Sequence, residues 1–391
     1  MKISILTPDL SHNCLGRAYL LAKILQRHYE VEIIGPIFGD GIWKPVADDN
    51  SIAYKSVKIC GRFKPYWQIK ELAKEIDGDI IYASKPLFTS FGLGLFKRLL
   101  NHRPLILDID DWELGFAKEN YRNSSLLSRL ESLVISTLFS YNIGSYWNRL
   151  ISEKFVFFAD SITVSNSYLK SKFNGTIVCH GRDTQIFDPK RFNKNMLREK
   201  YKIDENKKVV MFLGTPGTHK GIEDLIKAIE IIKDRNIVLI IVGIDNKDNY
   251  CISIVNTART RLGEERFKGY ELQLFEIVPE FLVIADLVVI PQRKNFASVG
   301  QVPAKVFDAM AMAKPIIATN VSDLPEILDG CGWIVEPENP EQLAETIQYV
   351  LNNSQEADII GQKARQKCIE KYSWDVMDKI LMRVFGKYKG I

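Results

Sequence analysis

Short β-rich apolar runs alternate along the chain with segments whose apolar residues recur at helical spacing. KISILTP precedes LGRAYLLAKILQRH, and VEIIGP, IIYASKP, PLILDID and SITVS follow in turn. Runs of this length, separated by helical patterns, predict βαβ units and a parallel sheet, because a helical crossover is how one parallel strand reaches the next. The rhythm restarts at KKVVMFLG and continues through GIEDLIKAIEII, NIVLIIVG, ADLVVIP, a helix around Phe307 to Met312, and PIIAT. Between the two series lies FDPKRFNKNMLREKYKIDENKK, polar and charged with no sustained strand. The pattern therefore predicts an α/β chain of two Rossmann-like domains, each with its own parallel sheet, and a boundary near residue 190.

Composition is compatible with two cores: 391 residues, 46% hydrophobic and 26% charged,. MKISILTPD lacks the apolar core of a signal peptide and reads as a first strand,. The longest uncharged stretch, Ser132 to Asn148, is broken by Ser, Thr, Asn and Tyr, so no membrane-spanning helix is expected and the chain is expected in the cytosol,. Six cysteines without a CxxC pair and five histidines without an HxxxH cluster point to neither a disulfide framework nor a structural metal,. Residues 1–200 carry 28 Lys+Arg against 21 Asp+Glu, and residues 201–391 carry 24 against 27. Either the first half faces something anionic or the surface is simply uneven; with a net charge of only +4, no nucleic-acid partner is expected,.

Leu126 to Tyr141 places Leu126, Leu127, Leu130, Leu133, Val134 and Leu138 on one helical stripe. Core packing is the first expectation for such a stripe. The alternative is a surface shared with Arg62, Lys64, Pro65, Tyr66, Trp67, Phe96, Lys97 and Arg98 that touches an anionic membrane,.

The loops after the strands carry the chemistry. The first strand ends at Thr7 and Pro8, and DLSHNCLGRA leads into a helix that Gly16 opens. Ligands of open α/β sheets bind at such strand ends, and a helix N-terminus favours an anion, although a single glycine also serves as a turn residue. His12 lies in this loop and His219 in the second half; both are placed to meet a ligand or to act as polar structure. VVMFLG ends a strand at Gly214, TPGTHKG follows, and a helix begins near Ile222. Lys220 thus sits at the positive end of a helix dipole, an unfavourable place for a cation unless it is solvated or an anion is bound. Ser298, Val299, Gly300, Gln301 and Val302 form a further loop; Pro303 suits the first helical position and Lys305 the first turn,. A second lysine at a second helix start points to the same anion, and Asp308 is spaced to accept hydrogen bonds from ribose hydroxyls. Val306, Phe307, Met310, Ala311 and Ala313 supply the buried face of that helix,.

Asp108, Asp110 and Asp111 in LILDIDDWE follow another strand end. Asp110 and Asp111 are candidates to hydrogen-bond acceptor hydroxyls; loop capping and a DxD metal site formed with Asp108 are the alternatives. Trp112 beside them packs or stacks on a sugar ring.

These residues resemble the retaining glycosyltransferases of the GT-B fold, family 4 type, over almost the whole chain. VPAKVFDAMAMAKPIIAT is similar to the family's donor-site helix and following strand, and FLGTPGTHKGIEDLIKAI to its phosphate loop with the lysine. ADSITVSNSYLKSKF with CHGRDTQIFDP resembles the end of its N-terminal domain, NVSDLPEILDGCGWIVEPENPEQLAETI the segment after the donor site, and YSWDVM the entry into its last helix. The resemblance implies an acceptor domain, 1–190, a nucleotide-sugar domain, 191–372, sheets facing a cleft, and a C-terminal helix, 373–391, returning to the N-terminal domain. It implies Lys220 and Lys305 as catalytic cations on the donor diphosphate, with Gly214, Thr215, Gly300, Gln301 and Val302 lining the donor, Asp308 on the ribose and Gly16 opposite the diphosphate. Gly300 stands where most of the family has the first glutamate of E-x7-E, and Thr215 where an arginine is common. The implied activity is transfer of a sugar from a nucleotide-diphosphate donor to a glycan or lipid-linked acceptor, with no metal or cofactor. The rivals are a silent sugar-nucleotide-binding protein and an epimerase, and the missing carboxylate at Gly300 argues against the epimerase.

Overall fold

The computed structural model describes residues 1–59, 65–122, 124–130 and 145–388, which divide into two compact units. Unit 1 comprises Met1–His180, Val299–Gln301 and Met377–Ile391; unit 2 comprises Gly181–Ser298 and Val302–Val376.

In unit 1 the strands are β1 (Lys2–Leu6), β2 (Glu30–Ile37), β3 (Ala53–Lys58), β4 (Ile80–Ser84), β5 (Leu105–Ile109), β6 (Ser161–Val164) and β7 (Thr176–Ile177). They form one parallel sheet in the order β3-β2-β1-β4-β5-β6-β7. β4 and β5 are buried along their whole length, which is why they read as unbroken apolar runs rather than alternating ones,. The helix Leu15–Leu25 covers one face with nine of its eleven residues buried. The order reverses direction between β1 and β4, so the crevice beyond their carboxyl ends is where such a sheet takes ligands,.

Unit 2 repeats the plan with β8 (Lys208–Leu213), β9 (Ile237–Ile244), β10 (Phe267–Glu271), β11 (Leu287–Ile290), β12 (Ile316–Thr319) and β13 (Trp333–Val335). All are parallel, in the order β10-β9-β8-β11-β12-β13, with the switch point between β8 and β11. Its core packs Phe212, Ile226, Leu239, Ile241, Val289 and Ile347 together. Each such side chain contributes about 1.5–3 kcal/mol by leaving water, which is what holds helices such as Ile222–Ile231 and Pro340–Asn352 on the sheet.

The last helix, Trp374–Phe385, carries the chain back to unit 1 from Met377 onward. Phe385 is fully buried there with its ring centroid 5.2 Å from that of Tyr82, and Tyr388 meets Ser161 hydroxyl to hydroxyl at 2.6 Å.

Two expectations of the sequence come out differently or fall outside the described residues. Leu126, Leu127 and Leu130 are 76%, 75% and 60% exposed rather than core, while the remainder of that stripe, 131–141, lies outside the described residues. Arg62 and Lys64 also lie outside them, as do the side chains of Pro65, Tyr66 and Trp67.

Candidate active site

The switch point of unit 2 is built on the turn Gly214–Thr215 after β8. Gly214 takes φ +113°, a region that favours glycine, and a methyl group there would lie 3.0 Å from Lys305 Nζ,. The absent side chain is what lets the lysine come down onto the turn. Lys305 opens the helix Lys305–Ala311, two residues later than Pro303 as first helical residue would place it, and its Nζ sits 3.7 Å from the Phe212 ring centroid. It forms no ion pair among the described residues. Burial drives its pKa well below the ordinary lysine value and the neighbouring charge of Lys220 lowers it further, against the pull of Asp308,. Lys220 lies in the single turn Thr218–Lys220 ahead of the helix Ile222–Ile231 and donates to the Thr215 carbonyl at 2.5 Å. Two lysines from separate loops therefore converge on one turn at a strand end. A bound anion would relieve both the burial cost and their repulsion.

Asp308, read from the sequence as a ribose ligand, is buried and paired with the Arg182 guanidinium. Arg182 is held by its own backbone, donating its N–H to Tyr372 O and accepting from Trp374 N at 2.9 Å each, and its guanidinium carbon stands 5.3 Å from the Phe275 ring centroid. This arginine escaped the sequence reading. CHGRDT drew notice only as a segment between domains, and nothing local tells that its arginine meets a carboxylate 126 positions away.

Unit 1 has its own cluster at the β1/β4 switch point. Lys85, with φ 69°, follows β4 and is buried. Its Nζ lies 2.8 Å from Asp110, 2.8 Å from Asp111 and 2.9 Å from Glu113. Burial works to lower its pKa, but the three carboxylates prevail and hold it well above the ordinary value. Asp110 is pushed up to about 7 by burial, with Lys85 opposing and Asp111 reinforcing. Asp111 is held low: burial would raise it, yet Lys85 and a 3.0 Å hydrogen bond from the Gln301 amide outweigh that. Asp110 and Asp111 are thus brought together, with Lys85 and Glu113 as members that the sequence reading missed. The lysine before the proline of IIYASKP, directly after the strand, was the available signal.

Asp108 is separate from this cluster. Its carboxylate takes two 2.8 Å bonds from Arg17 and a 2.7 Å bond from the Thr163 hydroxyl inside the sheet. These anchor the helix Leu15–Leu25 to β5, a structural task. His12 is exposed in its loop. Gly16 donates its N–H to Asn13 O at 3.0 Å, and a side chain there would come within 3.3 Å of the Trp43 ring, so its place in unit 1 is one of packing.

Gly300 and Gln301 group with unit 1. The Gly300 carbonyl accepts from Trp112 N and from the Asn166 amide at 3.2 Å each, and Asp111 and Gln301 form an isolated antiparallel bridge. A methyl group on Gly300 would lie 2.5 Å from Trp112 Cβ, closer than such atoms approach. This close packing gives a physical reason for glycine at the position where the family resemblance expects glutamate. Trp112 itself packs, donating to Glu153 at 2.9 Å with Lys118 and Lys172 over its ring, while Val302, the next residue of the loop, is buried in unit 2.

Residues 193–367 match the family described as Glycosyl transferases group 1. The capsular polysaccharide biosynthesis glycosyltransferase CapM of Staphylococcus aureus is 26% identical over 233 residues, 58% of each chain. An uncharacterized glycosyltransferase of Methanocaldococcus jannaschii is 28% identical over 187 residues, 47% of this chain and 46% of that one. The chain thus spans about half the length of the curated relatives it matches. A solved structure of Anabaena HepE in complex with UDP-glucose superposes with a TM-score of 0.77 over 99% of this chain and all of that one, at 17% identity, a likeness of fold. Residues 193–367 are thus similar to the glycosyl transferases group 1 family, in a chain with the GT-B fold.

Proposed function

We propose that the chain is a glycosyltransferase that takes a sugar from a nucleotide-diphosphate donor, bound in unit 2, and passes it to a glycan or lipid-linked acceptor with retention of anomeric configuration. The convergence of Lys305 and Lys220 on the Gly214–Thr215 turn carries this reading. A diphosphate leaving group gains negative charge as the glycosidic bond to it breaks. Two ammonium groups already in place stabilise that charge more in the transition state than in the ground state, without reorganisation at the moment of reaction. The reading calls for no metal, since the lysines neutralise the diphosphate, and for no protein nucleophile.

Asp308 keeps lone pairs for a ribose hydroxyl while Arg182 fixes its position. On the acceptor side, Asp110 and Asp111 present carboxylates that recognise hydroxyl groups, with Lys85 fixing their geometry. The reading places the protein in the cytosol, with polysaccharide or glycolipid synthesis as its setting.

A thermal-shift panel of UDP, GDP, ADP, TDP and their sugars tests the donor site: a ligand at 100 times its Kd stabilises by about 2.7 kcal/mol. Incubation with the stabilising donor and a glycan or lipid extract then separates the outcomes. A product larger by one sugar supports transfer, a changed free donor means epimerisation, and binding without turnover means a silent protein.

A further inference from the structure

Lys220 stands on a single turn, Thr218–Lys220, close enough to Lys305 for the two like charges to repel. Repulsion drives that turn away from its neighbour unless something holds it. The segment leaving β11 does so, and it grips the chain on both sides of Lys220. Before the lysine, the Arg293 N–H donates to the His219 carbonyl at 3.0 Å. After it, Gly221 lies so close to Pro291 that a methyl group would come 1.8 Å from the Pro291 carbonyl oxygen. In the first turn of the helix Ile222–Ile231, Asp224 takes the Arg293 guanidinium as a fork, Nε at 2.9 Å on one oxygen and Nη2 at 3.1 Å on the other.

Arg293 is itself fixed. Its carbonyl accepts from the Ser298 hydroxyl, and the Ser298 N–H donates to the Asn295 side chain at 3.0 Å, which closes the loop on itself. The Gln292 carbonyl accepts from the Thr319 hydroxyl at 2.7 Å, tying the same loop to the end of β12. The Arg293 and Asp224 side chains are only 27% and 17% exposed. A partly shielded, two-bond pair sets orientation as well as distance, which a fully exposed ion pair does not.

We infer that Arg293 is a positioning residue for donor binding: through Asp224 and the His219 carbonyl it holds Lys220 beside Lys305, where both meet a diphosphate. The inference rests on the donor reading of unit 2 for its ligand and adds a residue that acts through another. Calorimetric titration of the full chain with UDP, GDP, ADP and TDP, and with the monophosphate of whichever binds, tests it. Arg293→Met weakens the diphosphate about tenfold or more and the monophosphate less than about threefold, since one lysine suffices for a single phosphate. Arg293→Lys keeps the charge without the fork and loses about threefold for the diphosphate. Adding Asp224→Asn to Arg293→Met leaves binding weak, because removing the carboxylate's charge does not restore the hold. Hydrogen exchange over 215–221 quickens in Arg293→Met while β8 and β11 keep their wild-type protection. Wild-type affinity in Arg293→Met or Arg293→Lys, equal losses for mono- and diphosphate, recovery in the double variant, or unchanged exchange over 215–221 each overturns the inference. A wild-type protein that binds none of the four diphosphates overturns the donor reading instead, and the exchange measurement then decides whether Arg293 holds the turn.

Discussion

At the switch point of unit 1, one buried lysine meets three carboxylates within 3 Å; at that of unit 2, the half-buried Lys305 forms no ion pair among the described residues and is crowded by a second lysine. The two sheets follow the same plan, with a strand order that reverses at the same place. The loops around the two switch points nevertheless carry opposite charge balances. Unit 1 satisfies its own cation and presents surplus negative charge suited to hydroxyl donors. In unit 2 two lysines repel each other, and Asp308 is engaged by Arg182. Architecture alone does not set the chemistry of a switch point; the side chains on the strand-end loops do.

The sharpest way to break the comparison is to remove the lysine from each side. Lys85→Met takes the shared cation from Asp110 and Asp111, leaving Glu113 with Arg149 at 3.4 Å, and should cost about 3–5 kcal/mol at neutral pH,, read by denaturant unfolding. The carboxyl pKa values in that variant rise above their unfolded values. The stability lost at neutral pH should therefore return as pH falls through them, and a loss independent of pH would deny the electrostatic role. Lys305→Met should do the reverse. It removes a half-buried cation that forms no ion pair among the described residues, so the melting temperature holds or rises, while transfer from the nucleotide sugar falls by about 100-fold or more,. A variant with wild-type turnover would remove the assignment of the phosphate site.

Gly300→Ala forces a methyl group against Trp112 and should destabilise by about 1–3 kcal/mol, visible in unfolding of the wild type against the variant. An unchanged stability would mean that close packing is not why glycine stands there. The smallest effect is a proton. Lys305 has its pKa depressed in the folded protein, and a diphosphate would raise it again. At pH values between the depressed and the ordinary lysine value, nucleotide binding should take up a proton. Its calorimetric enthalpy should then vary with the ionisation enthalpy of the buffer, and affinity should weaken as pH rises. For the same reason the free protein's stability should rise with pH through that window, because the unfolded chain holds the proton that the fold disfavours.

How much of this was legible differs from residue to residue. Lys220 and Lys305 could be found because each stands at the start of a periodic helical segment that follows a loop, and a cation there conflicts with the helix dipole unless something anionic is bound,. Asp110 and Asp111 were legible for a similar reason, lying directly after a buried apolar run. Arg182 and Arg17 were not, because what defines each is a carboxylate brought near by the fold. Lys85 had a local signal, its place directly after a buried strand, but its three partners are set by the fold. Leu126, Leu127 and Leu130 show the opposite failure, since helical periodicity identifies an apolar stripe but not what lies against it.

The sequence by itself determined the two parallel sheets, the helices between them and the loops where ligands bind, because periodicity, strand length and turn residues are local properties that each segment carries alone. Only the tertiary structure decided which charges are balanced. Ion pairing and desolvation depend on distances of a few ångströms between residues far apart in the chain. The fold converges two lysines on Gly214–Thr215, closes Arg182 onto Asp308, packs Gly300 on Trp112 and surrounds Lys85 with carboxylates.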